Sequence, residues 1–468
     1  MTNHHGENWP YHEGGNGEMV ACASNPCRIH GGSDIMADSP EEAGSMMERV
    51  LSAADYWSLP SSSVIPYHID LPDESIAVMN SIEHGDVLVV GGGVRDSIMG
   101  KSNKDIDLEV HGEDLDDIMH ELRNHGIHVD SVGRTFGVLT ARNHDWSIGV
   151  DIATPRRERK TGTGHTGFDT EQDPYMGVSE AAARRDFTCN AIMYDPRRQV
   201  ILDPYHGVDD VRHHIMRATS SRFAEDPLRV LRGVQFSARF GLNMDDDTAS
   251  MCRKLRREYG TLSMERVRLE WRKFYTRGEY PMQGFATLRK TGWDDTVPGL
   301  HEAIHNPMFM QRVNRAWKYD DRAIRAATVA YMAPPDARRD MLHHMSVGDD
   351  DVKRSMAFID SMHADLSTRA KRREWEYQHH TRGISLHEVS MFAGIMDNDA
   401  LSHDASMDNG YIEPWIDGND VRNAVPDRQP GRWISEVINE ARKRQYEDRF
   451  SGRDEALDDI SHLASLVS

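Results

Sequence analysis

The sequence predicts an α+β fold, a mixed sheet with flanking helices in the N-terminal half and an all-helical region after it. Three observations predict this. From about residue 75 to 215, short apolar runs of strand length alternate with stretches of helical period. Within that region a strand runs through three glycines straight into a helix at Val89–Arg95. After about residue 220 strand-like runs stop, and stretches rich in Arg, Glu, Met and Ala follow, broken near Pro281, Pro298, Pro307 and Pro334–Pro335.

The elements follow in order. Residues 1–45 are rich in Gly, His, Asn, Ser and Met with almost no apolar periodicity, and read as a disordered arm. Cys22, Cys27 and His30 lie in it as C-x4-C-x2-H, with His4, His5 or His12 as a fourth ligand if the group binds zinc. Asp86–Val90 reads as a strand, Val94–Met99 as a short helix and Ile106–Val110 as a second strand. Leu115, Ile118, Met119 and Leu122 recur at helical spacing, and Phe136–Ala141 and Ile148–Ala153 read as further strands. The polar stretch 397–430 reads as a long loop or a domain seam.

Composition sets limits on function. The 468 residues carry 76 acidic and 55 basic side chains, a net charge of -21, so any nucleic-acid site must be a local basic patch on an acidic body. No apolar run approaches the ~20 residues of a membrane span, and the N-terminus lacks an apolar signal core. Four cysteines without regular spacing argue against a disulfide scaffold and for a cytoplasmic protein.

The chemistry concentrates in two segments. Val89-Val90-Gly91-Gly92-Gly93-Val94-Arg95-Asp96 lets backbone N–H groups approach a phosphate closely at a helix start. A dinucleotide fingerprint would need glycine where Asp96 stands. Nine residues on, Asp105 and Asp107 sit at i and i+2, so a strand projects both carboxylates from one face. Carboxylates that close repel unless a cation sits between them, and Mg²⁺ takes such oxygen ligands. Asp151, near the end of a later strand, is a third carboxylate able to join or position the pair.

The run VVGGGVRDSIMGKSNKDIDLEV resembles the first motif of the class II tRNA nucleotidyltransferase and poly(A) polymerase family, within the polymerase-β-like superfamily. Four further blocks resemble that family in its own order. They are VDIATPRRERKTGTGHTGF from Val150, RRDFT at Arg184–Thr188 with Asn190-Ala191, DPYHGVDD at Asp203–Asp210, and EDPLRVLR from Glu225 continuing to Phe240. The resemblance implies a polymerase-β-like nucleotidyltransferase domain over 75–215, a helical neck with a base-selecting helix over 216–280, and a helical body and tail over 281–468 that binds tRNA. It implies transfer of CMP and AMP from CTP and ATP to the tRNA 3′ end, with Asp105 and Asp107 holding Mg²⁺ and Asp151 assisting. It further implies that Gly92, Arg95 and Arg185 bind the triphosphate, and that Asp226, Arg229 and Arg232 face the base. An Asp accepting from an exocyclic amine and an Arg donating to the adjacent ring nitrogen match an edge that cytosine and adenine share.

Leu228, Leu231 and Val234 are expected to pack inward on that last helix. Gln235 departs from the family, which often has arginine there, and the His403–Asp404 pair lacks the supporting ligands of a phosphohydrolase. The basic runs Arg156–Lys160, Arg253–Arg257 and Arg266–Arg277, the last interspersed with Trp271 and Tyr275, are candidate tRNA contacts. A poly(A) polymerase shares all five blocks. A catalytically silent RNA- or nucleotide-binding relative would be expected to lack a metal carboxylate, and both Asp105 and Asp107 are present.

Overall fold

The computed structural model describes residues 39–101, 106–130, 137–160, 168–346, 348–379, 383–407 and 414–467, with three short strands before them at 11–13, 19–21 and 32–34. The fold is α+β as expected, and the chain divides into two compact units. The first comprises residues 1–263 and 286–292; the second comprises 264–285 and 293–468.

In the first unit β1 (Tyr11–Glu13) pairs with β2 (Met19–Ala21) in a separate two-stranded sheet. The main sheet is built from β3 (Gly32–Asp34), β4 (Val64–Ile69), β5 (Asp86–Val90), β6 (Asp107–His111), β7 (His128–Asp130), β8 (Val138–Arg142), β9 (Val150–Ala153), β12 (Met193–Asp195) and β13 (Val200–Leu202). Its order is β3-β4-β13-β12-β5-β6-β9-β8-β7. Between them in sequence, β10 (Arg156–Lys160) and β11 (Phe168–Gln172) form a separate antiparallel hairpin, Arg156 opposite Gln172. All pairs of the main sheet are antiparallel except β6 with β9.

Helix α1 (Pro40–Tyr56) begins inside the range read as an arm. Ser39 caps it by accepting from Glu42 N, and Pro40 occupies its first turn, where a missing N–H costs nothing. Val50, Ala53 and Ala54 face one way and pack with Leu88, Val90, Met193 and Leu202 of the sheet. The chain continues through α2 (Asp73–Ser81), α3 (Gly92–Ile98), α4 (Leu115–Asn124), α5 (Val178–Ala183) and α6 (Gly207–Arg212). Asp203 is buried and accepts from Gly207 N (2.7 Å) and Val208 N (2.9 Å), so the DPYHG block is a cap that starts α6.

The stretch expected as a neck contains α7 (Leu228–Phe240), closed by Gly241 at φ 68, and α8 (Asp246–Leu255), capped by Asp245. Leu228, Leu231 and Val234 are all buried, as their spacing predicts. Strand pairing does not end at residue 220: β14 (Ile215–Met216) pairs in parallel with β15 (Asn243–Met244). Cys189 and Cys252 are buried free thiols, and burial pushes each up to about 12.

The second unit is helical among the described residues. In α9 (Met264–Arg277), Trp271, Phe274 and Tyr275 are each 2 % exposed or less, and Trp271 stacks on Tyr275 at 6.0 Å between centroids. These two aromatics are core, which corrects their expected place beside RNA: spaced by four, they fall on the face that α9 buries. After α10 (Pro281–Thr291) the helices run from α11 (Leu300–Ile304) to α22 (Ile460–Leu466). The 397–430 stretch, read as a long loop or seam, contains two short helices, α18 (Asp399–Ser406) with His403 and Asp404, and α19 (Gly418–Ala424). Its polar residues are caps. Asn398 accepts from Leu401 N, and Asp417 forms a capping box with Asp420.

Candidate active site

Sheet register assembles the site. The β5–β6 ladder sets Val90 opposite Asp107, and the parallel β6–β9 ladder sets Asp107 beside Asp151. The glycine turn leaving β5 therefore meets two exposed carboxylates at one end of the sheet. Asp151 Oδ1 accepts from Thr140 Oγ1 of β8 at 2.7 Å, which orients that carboxylate. Asp105 lies outside the described residues.

Gly91 has φ +70, and a Cβ there would stand 3.2 Å from Arg185 Nη1 and 3.8 Å from Asp107 Oδ2. The backbone conformation favours glycine there. The same distances place the Arg185 guanidinium and the Asp107 carboxylate over the turn. Gly92 opens α3.

Glu109, two residues past Asp107, was not singled out in the sequence, although D-I-D-L-E alternation puts it on the same strand face. It is 1 % exposed and accepts at Oε2 from Arg184 Nη2 (3.0 Å) and Arg185 Nη2 (3.2 Å). His111 Nε2 stands 3.3 Å from Oε1. Burial alone would raise this carboxyl; His111, Arg185 and Arg184 outweigh it and hold it at about 2. Glu109 thus stays ionised and fixes the arginine that overhangs the turn.

Arg95 Nη2 stands 3.4 Å from where a Cβ on Gly92 would lie, and internal partners hold the side chain there. It is 4 % exposed and donates from Nε (2.8 Å) and Nη2 (2.5 Å) to Asp96 Oδ1, and from Nη1 to Asn190 Oδ1 (2.5 Å). The Phe240 ring lies beneath it at 4.1 Å. Asn190 in turn donates to Asp186 Oδ1 (2.9 Å), whose other oxygen receives Arg232 Nε (2.8 Å) and Nη2 (2.7 Å). One buried polar chain therefore links α3, the 188–190 turn and α7. Burial pushes the Asp186 carboxyl up, but Arg232, Asn190 and the Phe187 N–H prevail and lower it. Asp96, Asp186 and Asn190, absent from the expected site, are its internal frame; their spacing carried no signal beyond the RRDFT resemblance.

On α7, Arg229 is 9 % exposed and donates to two carbonyls, Arg222 O (2.9 Å) and Arg184 O (2.7 Å). Asp226 Oδ1 accepts from Leu228 N at 3.0 Å, anchoring the start of the helix. Gln235 is 2 % exposed, and its Nε2 has no hydrogen-bond partner among the described residues. Cys22, Cys27 and His30 lie outside the described residues.

A strand–glycine–helix turn at the end of β5 thus adjoins carboxylates on β6 and β9, with α7 packed behind it through Arg232 and Asp186. Residues 87–217 match the family described as the Poly A polymerase head domain. The chain is 37% identical over 184 residues to the Multifunctional CCA protein of Xylella fastidiosa (strain 9a5c), covering 38% of this chain and 42% of the relative. It is 34% identical over 208 residues to the CCA-adding enzyme of Blochmanniella floridana, covering 44% and 47%. The chain spans less than half the length of these curated relatives. Among solved structures, the CCA-adding enzyme of Bacillus stearothermophilus in complex with CTP shares the fold, with a TM-score of 0.59 at 19% identity over 84% of this chain and 97% of that one.

Proposed function

We propose that this chain is a template-independent tRNA nucleotidyltransferase that adds CMP and AMP from CTP and ATP to the tRNA 3′ end by in-line phosphoryl transfer. The observation that carries the reading is the register that sets Asp107 beside Asp151 at the glycine turn, under Arg185. Neighbouring carboxylates offering only oxygen fit Mg²⁺, and Asp105 joins them by its spacing. When bound, a divalent pair there supplies Lewis-acid polarisation of the α-phosphate and a lowered pKa for the attacking hydroxyl.

The chain's own residues do the positioning. Thr140 orients Asp151, and Glu109 orients Arg185, whose planar guanidinium suits the non-bridging oxygens of a triphosphate. The bare backbone at Gly91 and Gly92 lets phosphate approach. Arg95, held by Asp96 and Asn190 with Nη2 beside Gly92, both braces the turn and keeps N–H groups for the triphosphate. Arg232 holds Asp186, while Asp226 and Arg229 present the acceptor and donor for the shared edge of cytosine and adenine. Two carbonyl bonds make Arg229 a rigid donor, using its remaining N–H groups for the base.

In the second unit α16 (Arg369–His379) and α20 (Arg432–Tyr446) form a pocket in which Arg369, Arg373 and Lys443 are matched by Glu374, Glu447 and Asp448, the last paired with Arg373. Among the described residues no helix is long and apolar enough to cross a membrane.

The test is incubation with tRNA lacking its 3′ CCA and each labelled nucleotide. Incorporation of C, then A, stopping at the completed end is expected. A long A-only tail would identify a poly(A) polymerase, and no incorporation would overturn the reading.

A further inference from the structure

Asp107, Glu109 and His111 alternate along β6, so the strand carries all three on one face. Asp107 is exposed at the site, whereas Glu109 and His111 are buried behind it. The two buried side chains grip helix α5 at both ends. At its start, His111 Nδ1 lies 3.1 Å from the carbonyl oxygen of Met176, which immediately precedes the N-cap residue Gly177. Gly112 N reinforces this by donating to Pro174 O at 2.8 Å. At its other end the C-cap residue is Arg184, and Glu109 Oε2 receives Nη2 of both Arg184 and Arg185.

His111 joins the two grips. Its Nε2 faces Glu109 Oε1 at 3.3 Å, and among the described residues these two atoms have no polar partner but each other. A carbonyl and a carboxylate only accept, so turning the ring over would lose both contacts. Trp57, the C-cap residue of α1, holds the ring from the side: the two rings meet edge-on with centroids 5.6 Å apart. Trp57 is itself fixed by donating from Nε1 to Asp195 Oδ2 at 3.0 Å.

What α5 carries makes this mount matter. Arg185 overhangs the glycine turn, and the carbonyl of Arg184 receives Nη2 of Arg229 at 2.7 Å. One dipeptide therefore bears the arginine over the turn and suspends the arginine of α7. Resting on the reading of Arg185 as the triphosphate contact, we propose that His111 is a positioning residue for nucleotide binding. It acts through Glu109 on Arg185 and through Met176 on the start of α5, and touches no substrate itself.

The test is equilibrium dialysis of the full chain with CTP and, separately, inorganic tripolyphosphate, both in Mg²⁺, with Tm measured alongside. His111→Asn keeps a donor near the place of Nδ1 for Met176 O but is too short to reach Glu109. His111→Gln keeps a donor near the place of Nε2. His111→Asn is expected to weaken both ligands about 10-fold, and His111→Gln to stay within about threefold of wild type. In an Arg185→Ala background the His111→Asn loss should vanish, because the residue it positions is gone. If His111→Asn does not fold, Glu109→Gln carries the same comparison, and its loss should likewise vanish without Arg185. A loss equal in His111→Gln and His111→Asn, or one that persists without Arg185, would make His111 a core residue only and overturn the proposal. A wild type that bound neither ligand would overturn it too. The expected binding shifts in a chain that labels no tRNA would sink the transfer reading and leave the mount standing.

Discussion

Asp107→Asn and Asp151→Asn keep side-chain size and remove one charge each, so they separate cation chemistry from folding. Each is expected to lower single-turnover transfer by about 100-fold or more while Tm stays level or rises, because repulsion between the neighbours falls. Retention of more than about a tenth of the rate by either would remove it from the metal set. Base choice is tested at Arg185 and Arg229. Arg185→Ala should raise the apparent KM for all four nucleotides without reordering them, as the proposed phosphate contact requires. Arg229→Ala should narrow the preference for CTP and ATP over UTP and GTP. It should also cost stability, about 1–3 kcal/mol, because it leaves the carbonyls of Arg184 and Arg222 without their donor. Equal slowing of all four nucleotides with selectivity kept would make Arg229 a strut alone.

At the scale of elements, the polar chain from Arg232 through Asp186 and Asn190 to Arg95 joins the neck helix to the turn. Asp186→Asn should lower stability at pH 7 by about 2 kcal/mol, the size of a charge-assisted hydrogen bond with a partly exposed partner. The Asp186 carboxyl is held below its ordinary 3.8, so its contribution is complete above that value. It is lost as pH falls through the lowered folded value, and the gap between wild type and variant should therefore close on acidification below about pH 4. Urea midpoints across that range would show it, and a constant gap would count against a charged Asp186. The elements that frame this chain were legible in unequal measure. Strands β5, β6, β8 and β9 declared themselves as apolar runs, and the i, i+2 spacing of acids on β6 showed the carboxylate face. Strands β12 and β13, three residues each, are too short to show a period, and β10 and β11 are charged because they pair only with each other. The 397–430 helices were hidden because Asn398 and Asp417 look like loop residues when they serve as caps. Glu109 and Asp186 were hidden because what they do depends on partners about 75 and 46 residues away.

For the whole molecule, the start of the ordered sheet sets a truncation boundary. Deleting residues 1–31 leaves β3, the Ser39 cap and α1, and should change neither Tm nor transfer. Deleting 1–45 removes all of β3 and the capped first turn of α1, and should lower Tm measurably; calorimetry of the two forms compares them. The buried thiols carry a further consequence. All four cysteines of the sequence, at 22, 27, 189 and 252, fall in the first unit, while six of its nine tryptophans, from Trp271 to Trp433, fall in the second. A thiol pushed up to about 12 inside a core reacts with an alkylating reagent only when that core opens. In a Cys22→Ser/Cys27→Ser chain, mass labelling of Cys189 and Cys252 would clock the opening of the catalytic unit, while indole emission largely follows the helical one. The chain thus carries its own pair of reporters, and denaturant curves from the two would show whether its halves melt as one cooperative body or in sequence.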